Sequence, residues 1–104
     1  MSTHQLCSLA DLENNMAQRF DIDGVRLAVV RIGDEVYCIN DRCSHEDFSL
    51  SEGEVLPDVC ELECARHGAT FDLKSGQPCS LPATTPVAHY EISIQNGMVE
   101  VVLP

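Results

Sequence analysis

A small antiparallel all-β sandwich or barrel is the fold class this 104-residue sequence predicts. Three observations carry that reading. Short runs rich in Val, Ile and aromatic residues recur at close intervals, divided by turn dipeptides. Asp23-Gly24 and Asn96-Gly97 sit between such runs, and these are the strongest short hairpin signals a sequence offers. No segment sustains a long helical period.

The elements follow in chain order. Residues 11–15 read as one helical turn, with Ser8 or Asp11 as its cap. Met16–Ile22 and Val25–Ile32 read as strands joined by the Asp23-Gly24 turn. Gly33-Asp34 then leads to a strand over 35–39, which contains the β-rich run Val36-Tyr37-Cys38-Ile39. From residue 40 to about 76 the rhythm breaks into a loop-rich stretch. Asn96-Gly97 joins strands over 90–94 and Met98–Leu103. No internal repeat or low-complexity tract is present.

Length and composition bound the rest. A chain of 104 residues makes a single domain, 1–104, with an adequate but modest core. With two Tyr, three Phe and no Trp, that core must be mostly aliphatic. Seventeen acidic residues against six basic ones give a net charge of −11, which argues against nucleic acid as a partner. The same charge suits a protein steered toward a basic surface. The first residues lack the basic and apolar regions of a signal peptide, and no run is long enough to span a membrane. The expectation is a cytoplasmic protein with no membrane contact.

The chemistry lies in two short motifs. Cys43-Ser44-His45 is a C-x-H pair and Cys64-Ala65-Arg66-His67 a C-x-x-H pair, with residues 46–63 between them. Together they offer two thiolates and two imidazoles. Cys₂ on one iron and His₂ on the other is the ligand set of a Rieske [2Fe–2S] centre. Cys₂His₂ is also a tetrahedral zinc set, and the four ligands alone do not separate the two. Zinc fingers usually pair Cys with Cys and His with His along the chain, whereas here each loop carries one of each.

C-S-H followed by C-x-x-H-G-x-x-F-D resembles the Rieske iron–sulphur family, from about Val25 to the C-terminus. The resemblance implies a base of antiparallel strands carrying an inserted cluster-binding subdomain, here approximately 40–76. It implies that Cys43 and Cys64 hold an inner iron that stays ferric, and that His45 and His67 hold an outer, redox-active one. Leu81-Pro82-Ala83 resembles the proline loop that covers the cluster in this family.

Departures from the high-potential members are as telling. Those members carry one further Cys in each loop, joined as a disulfide. Here the first loop continues Glu46-Asp47-Phe48 and Ala65 follows Cys64, so no such bridge is available. A Ser and a Tyr after the second His are replaced by Ala69 and Phe71. Fewer hydrogen-bond donors toward the cluster sulphurs favour its oxidised form. The chain is therefore similar to the low-potential ferredoxins of bacterial ring-hydroxylating dioxygenase systems.

What the resemblance implies is a monomeric one-electron carrier between a flavin-dependent reductase and an oxygenase or similar acceptor, with no catalytic residues of its own. An accessory or sensor role in iron–sulphur assembly is the alternative, and a structural zinc module the third reading. Residues 41–63 hold eight acids against one Arg and read equally as a docking face or a solvated loop. Cys38 is expected to pack as a small hydrophobe, with Cys7 and Cys79 packed or half exposed. Cys60 has no equivalent among the family's ligands, and His4 and His89 fall outside the ligand motifs.

Overall fold

In the computed structural model the described residues are all but Met1, 44–47, Arg66, His67 and Pro82. They form nine strands: β1 (Ser2–Ser8), β2 (Met16–Ile22), β3 (Val25–Ile32), β4 (Glu35–Asn40), β5 (Glu54–Leu56), β6 (Glu61–Glu63), β7 (Thr70–Asp72), β8 (His89–Gln95) and β9 (Met98–Leu103). Six make one curled sheet in the order β1-β9-β8-β4-β3-β2, and β5-β6-β7 make a second, three-stranded sheet. Every pairing between strands is antiparallel. The all-β reading holds, and the small sheet enters the chain between β4 and β8.

Turn chemistry sets the register. Asp23 and Gly24 have φ of 51° and 80°, and Asn96 and Gly97 have 54° and 76°. Positive φ at both central positions is what a type I′ hairpin needs to match strand twist. Accordingly Ile22 pairs with Val25, and Gln95 with Met98.

β3 explains why two sheets pack as one body. Leu27, Ala28, Val29 and Val30 are all fully buried. Successive side chains point to opposite faces. Leu27 and Val29 join Leu12, Cys38, Val99 and Val101 inside the curl of the large sheet. Ala28 and Val30 join Ile39, Leu50, Val55, Leu62 and Phe71 between the large sheet and the small one. The second of these cores is the one beside the ligand motifs.

Three local features differ from expectation. The N-terminal helical turn spans Leu9–Asp11, earlier than 11–15. Ser8 caps it through a reciprocal box, accepting from the Ala10 amide at 3.3 Å while Asp11 accepts from the Ser8 amide at 3.3 Å. β1 was not expected: it is a polar edge strand, half-buried at Leu6 and Cys7 and paired along its backbone to β9. The loop-rich stretch contains β5–β7, strands of three residues each and too short to show a period.

Gly76 closes the far side of the second core. Its φ is +79°, and a Cβ there would lie 2.0 Å from the Val87 carbonyl oxygen. Gly76→Ala is expected to destabilise by about 2–4 kcal/mol, strained backbone and overpacking together, read as a lower denaturant midpoint.

Candidate metal centre

Two loops present the predicted thiol ligands, and both are closed in the same way. In the first, Arg42 bridges Ser49 and the Cys43 amide donates to the Phe48 carbonyl at 2.9 Å. In the second, Glu63 pairs with Thr70 and the Cys64 amide donates to the Ala69 carbonyl at 2.7 Å. Each cysteine is thus the first residue inside a hairpin stem, bonded to the carbonyl five positions on. The Gly68 amide also donates to the Cys64 carbonyl at 2.9 Å, and Gly68 has φ +73° with open space around a virtual Cβ. Backbone conformation, not crowding, selects glycine there.

Cys43 is 2% exposed and Cys64 0%, and both lie in the core cluster that contains Leu50, Leu62, Ala69 and Phe71. Neither forms a disulfide. His45 and His67, the two remaining predicted ligands, lie outside the described residues, as do Glu46 and Asp47. The donor set fits a sulphide-bridged iron centre: two thiols at the heads of matched loops, set in apolar surroundings that suit an inner, solvent-shielded iron. Ala69 and Phe71 are fully buried in that same cluster, so these two side chains bring no hydroxyl to it.

A third segment braces the second loop. The Cys79 amide donates to the Thr70 carbonyl at 2.7 Å. The Thr70 amide donates to Ser80 Oγ at 3.0 Å, and Ser80 Oγ reaches the Gly68 carbonyl at 3.5 Å. Ala83 is 4% exposed within the site's core while Leu81 is 78% exposed. The segment expected as a proline loop therefore lies against the second ligand loop; Pro82 falls outside the described residues.

The other cysteines sort by place. Cys38 faces the large-sheet core, and burial pushes its thiol up to about 12. Cys7 is half-buried, its thiol raised by burial and then by Asp11. Cys79 is exposed, and its thiol is raised by desolvation first, then by Glu61 and Asp72. Cys60 sits at φ 57° in the turn between β5 and β6, its carbonyl accepting from the Leu73 amide at 3.0 Å. It neighbours the Tyr37 hydroxyl, which Glu35 first, and then burial and Cys60, hold above the usual phenol range. His4 lies in β1 with Nε2 3.4 Å from Asp23, and His89 begins β8 on the surface.

The acidic run divides in the fold. Asp41 belongs to it in sequence but is fully buried, so it is no part of a solvated face. Val55, Leu62 and Phe71 point inward from the small sheet. Alternation sends Glu54, Glu61, Glu63 and Asp72 to its outer face. There Glu54 stands directly opposite Glu63, and Glu61 opposite Asp72. Like charges in that position destabilise a sheet. The E-L-E alternation at 61–63 was the available sequence signal for this face.

Residues 2–91 match the model of the Rieske [2Fe-2S] domain. The chain is 42% identical, over 94% of its length and 91% of the relative's, to the 3-phenylpropionate/cinnamic acid dioxygenase ferredoxin subunit of Shigella flexneri serotype 5b (strain 8401). The same figures hold for the subunit of that name from Escherichia coli (strain K12). Among solved structures, the ferredoxin of carbazole 1,9a-dioxygenase from Nocardioides aromaticivorans IC177 superposes with TM-score 0.97 at 32% identity, covering all of both chains. A chain from a complex of reduced oxygenase and oxidized ferredoxin in carbazole 1,9a-dioxygenase gives TM-score 0.89 at 34% identity, covering 95% of this chain and 91% of that one.

Proposed function

We propose, from the premise that this chain belongs to the Rieske [2Fe-2S] family, that it carries single electrons from a flavin-dependent reductase to the oxygenase of a dioxygenase system. It is an electron-transfer component and not itself the enzyme. Its Rieske-type cluster supplies one-electron chemistry at a potential set by the protein around it. In this reading Cys43 and Cys64 hold one iron and His45 and His67 the other, and 1–104 is one domain with its cluster-binding part at 40–76. The observation that carries it is the pair of buried thiols at the heads of two identically closed loops.

The relatives' names as dioxygenase ferredoxin subunits favour electron carriage over an assembly role. A monomer in the cytoplasm suits a carrier that must meet two partners in turn. Among the described residues no helix is long and apolar enough to cross a membrane.

Metal analysis tests the reading: about two irons and two acid-labile sulphides per chain are expected. One zinc and no sulphide would overturn it. Voltammetry is expected to place the potential near the low end of the Rieske range, about −150 mV. Phe71, fully buried in the site's core, offers a sharper check. Phe71→Tyr adds a hydroxyl donor there and is expected to raise the potential, as donors toward the sulphurs stabilise the reduced form. An unchanged value would mean the ring edge points away from the sulphurs.

A further inference from the structure

One carboxylate is wholly buried at the foot of the first ligand loop. Asp41 is 0% exposed and lies two residues before Cys43. Its Oδ2 accepts from the Ser49 hydroxyl, and its Oδ1 accepts from the Ser51 amide at 2.8 Å. Ser49 and Ser51 are themselves linked, Oγ to Oγ, at 3.0 Å. The Asp41 carbonyl accepts from the Leu50 amide at 2.6 Å, and its amide donates to the Arg26 carbonyl of β3 at 2.9 Å. One residue therefore fastens both sides of the loop's stem to each other and to the large sheet.

Two guanidiniums stand behind it. Arg19 Nε of β2 is 3.8 Å from Oδ2 and Arg26 Nη2 is 3.9 Å away. Arg19 is also committed to Asp21 through bonds of 2.9 and 3.2 Å. A charge this deep is unfavourable unless it is paired and hydrogen-bonded, and an apolar side chain of similar size often does as well for stability alone. Fold stability is thus a weak reason for a carboxylate here, and its two hydrogen bonds, from Ser49 and Ser51, run into one feature, the stem that presents Cys43.

We infer that Asp41 is a positioning residue for the first ligand loop: its carboxylate fixes the register in which Cys43 and His45 are offered to the iron. The inference rests on the reading of those two residues as ligands. The stem pairs Arg42 with Ser49, the serine Asp41 grips, so slack at Ser49 is passed directly to the neighbouring Cys43–Phe48 bond. The second loop, braced by Ser80, shares none of these contacts.

Three variants, each prepared as reduced holoprotein, test it by EPR g-values, redox potential and rate of iron loss to a chelator. Asp41→Leu removes both acceptors. Ser49→Ala removes one of the carboxylate's hydrogen bonds, together with the Ser49–Ser51 link, and leaves the charge. Asp41→Asn keeps an acceptor for the Ser51 amide and a donor for Ser49, and serves as conservative rescue. Asp41→Leu and Ser49→Ala are expected to shift the g-values and to speed iron loss, by on the order of tenfold for the loss of hydrogen bonds to a charged group. Asp41→Asn is expected to keep wild-type g-values. Wild-type g-values, potential and release rate in Ser49→Ala and in folded Asp41→Leu, with only a lower melting temperature, would reduce Asp41 to a stabilising residue and overturn the inference. If Asp41→Leu does not fold, Ser49→Ala alone decides. A wild-type protein without a Rieske signal would instead refute the ligand reading beneath it.

Discussion

Cys64→Ser is expected to leave a protein without bound iron or sulphide, while Cys79→Ser keeps its full complement. Cys64 has no exposed surface and lies among Leu62, Ala69 and Phe71. Serine fits the same space, so the substitution tests ligation and not packing. Its hydroxyl is a poor ligand for ferric iron beside a thiolate. It also leaves a polar group in an apolar core, at about 1–3 kcal/mol where no partner is found. Loss of the bound cluster removes its own stabilisation of the native state, so the melting temperature should fall as well. Cys79 is the right control because it is exposed and its thiol makes its contacts with Gln77, Glu61 and Asp72 outside the site's core, its brace to Thr70 being a backbone bond that serine keeps. Iron and acid-labile sulphide per chain, beside the visible spectrum, are the measurements. A Cys64→Ser protein with the wild-type spectrum would remove Cys64 from the ligand set. The same loss in Cys60→Ser or Cys79→Ser would show that the set was drawn wrongly.

Neutralising the outer face of the small sheet should have opposite effects on partner encounter and on stability. Glu54 and Glu63 face each other across β5 and β6, a repulsive cross-strand pair. Glu54→Gln with Glu63→Gln should therefore raise stability by roughly 0.2–1 kcal/mol. Those same charges, part of the net −11, build the field that would draw in a basic partner surface. Their loss should slow bimolecular electron transfer to the oxygenase by about tenfold at low ionic strength, acting on encounter and hardly on release. At 1 M salt the Debye length is roughly 3 Å, and the two proteins should converge in rate. Stopped-flow traces across a salt series, with denaturant melts of the same samples, give both readings. A stabilised variant with unchanged rate at low salt would show that this face is solvated and undocked.

Much of this was legible in the sequence where chemistry leaves a local mark. Asp23-Gly24 and Asn96-Gly97 announce type I′ turns because few other dipeptides tolerate two positive φ values. Cys43 and Cys64 announce themselves by ligand spacing. β1 left no such mark: an edge strand buries little, so Ser2–Ser8 lacks alternation and is specified by its partner β9. β5, β6 and β7 are too short for a period, and their place comes from tertiary packing of Val55, Leu62 and Phe71. Asp41 looked like one more surface acid. Its burial depends on Arg19, Arg26, Ser49 and Ser51, contacts that span the chain and carry no local signature.

β3 gives the molecule a single point of failure. Leu27 and Val29 belong to one core, and Ala28 and Val30, the residues that follow each of them, to the other. Opening either core bares one face of a strand whose other face holds the second core. The metal-binding end is therefore expected to open together with the large sheet and not as a separate foldon. Backbone amides of β3 should exchange with solvent only through global opening, and the slowest protection in the chain should cross from one core to the other along this strand. Whatever loosens the large sheet, however far from the thiols, should then expose the cofactor's seat at the same moment.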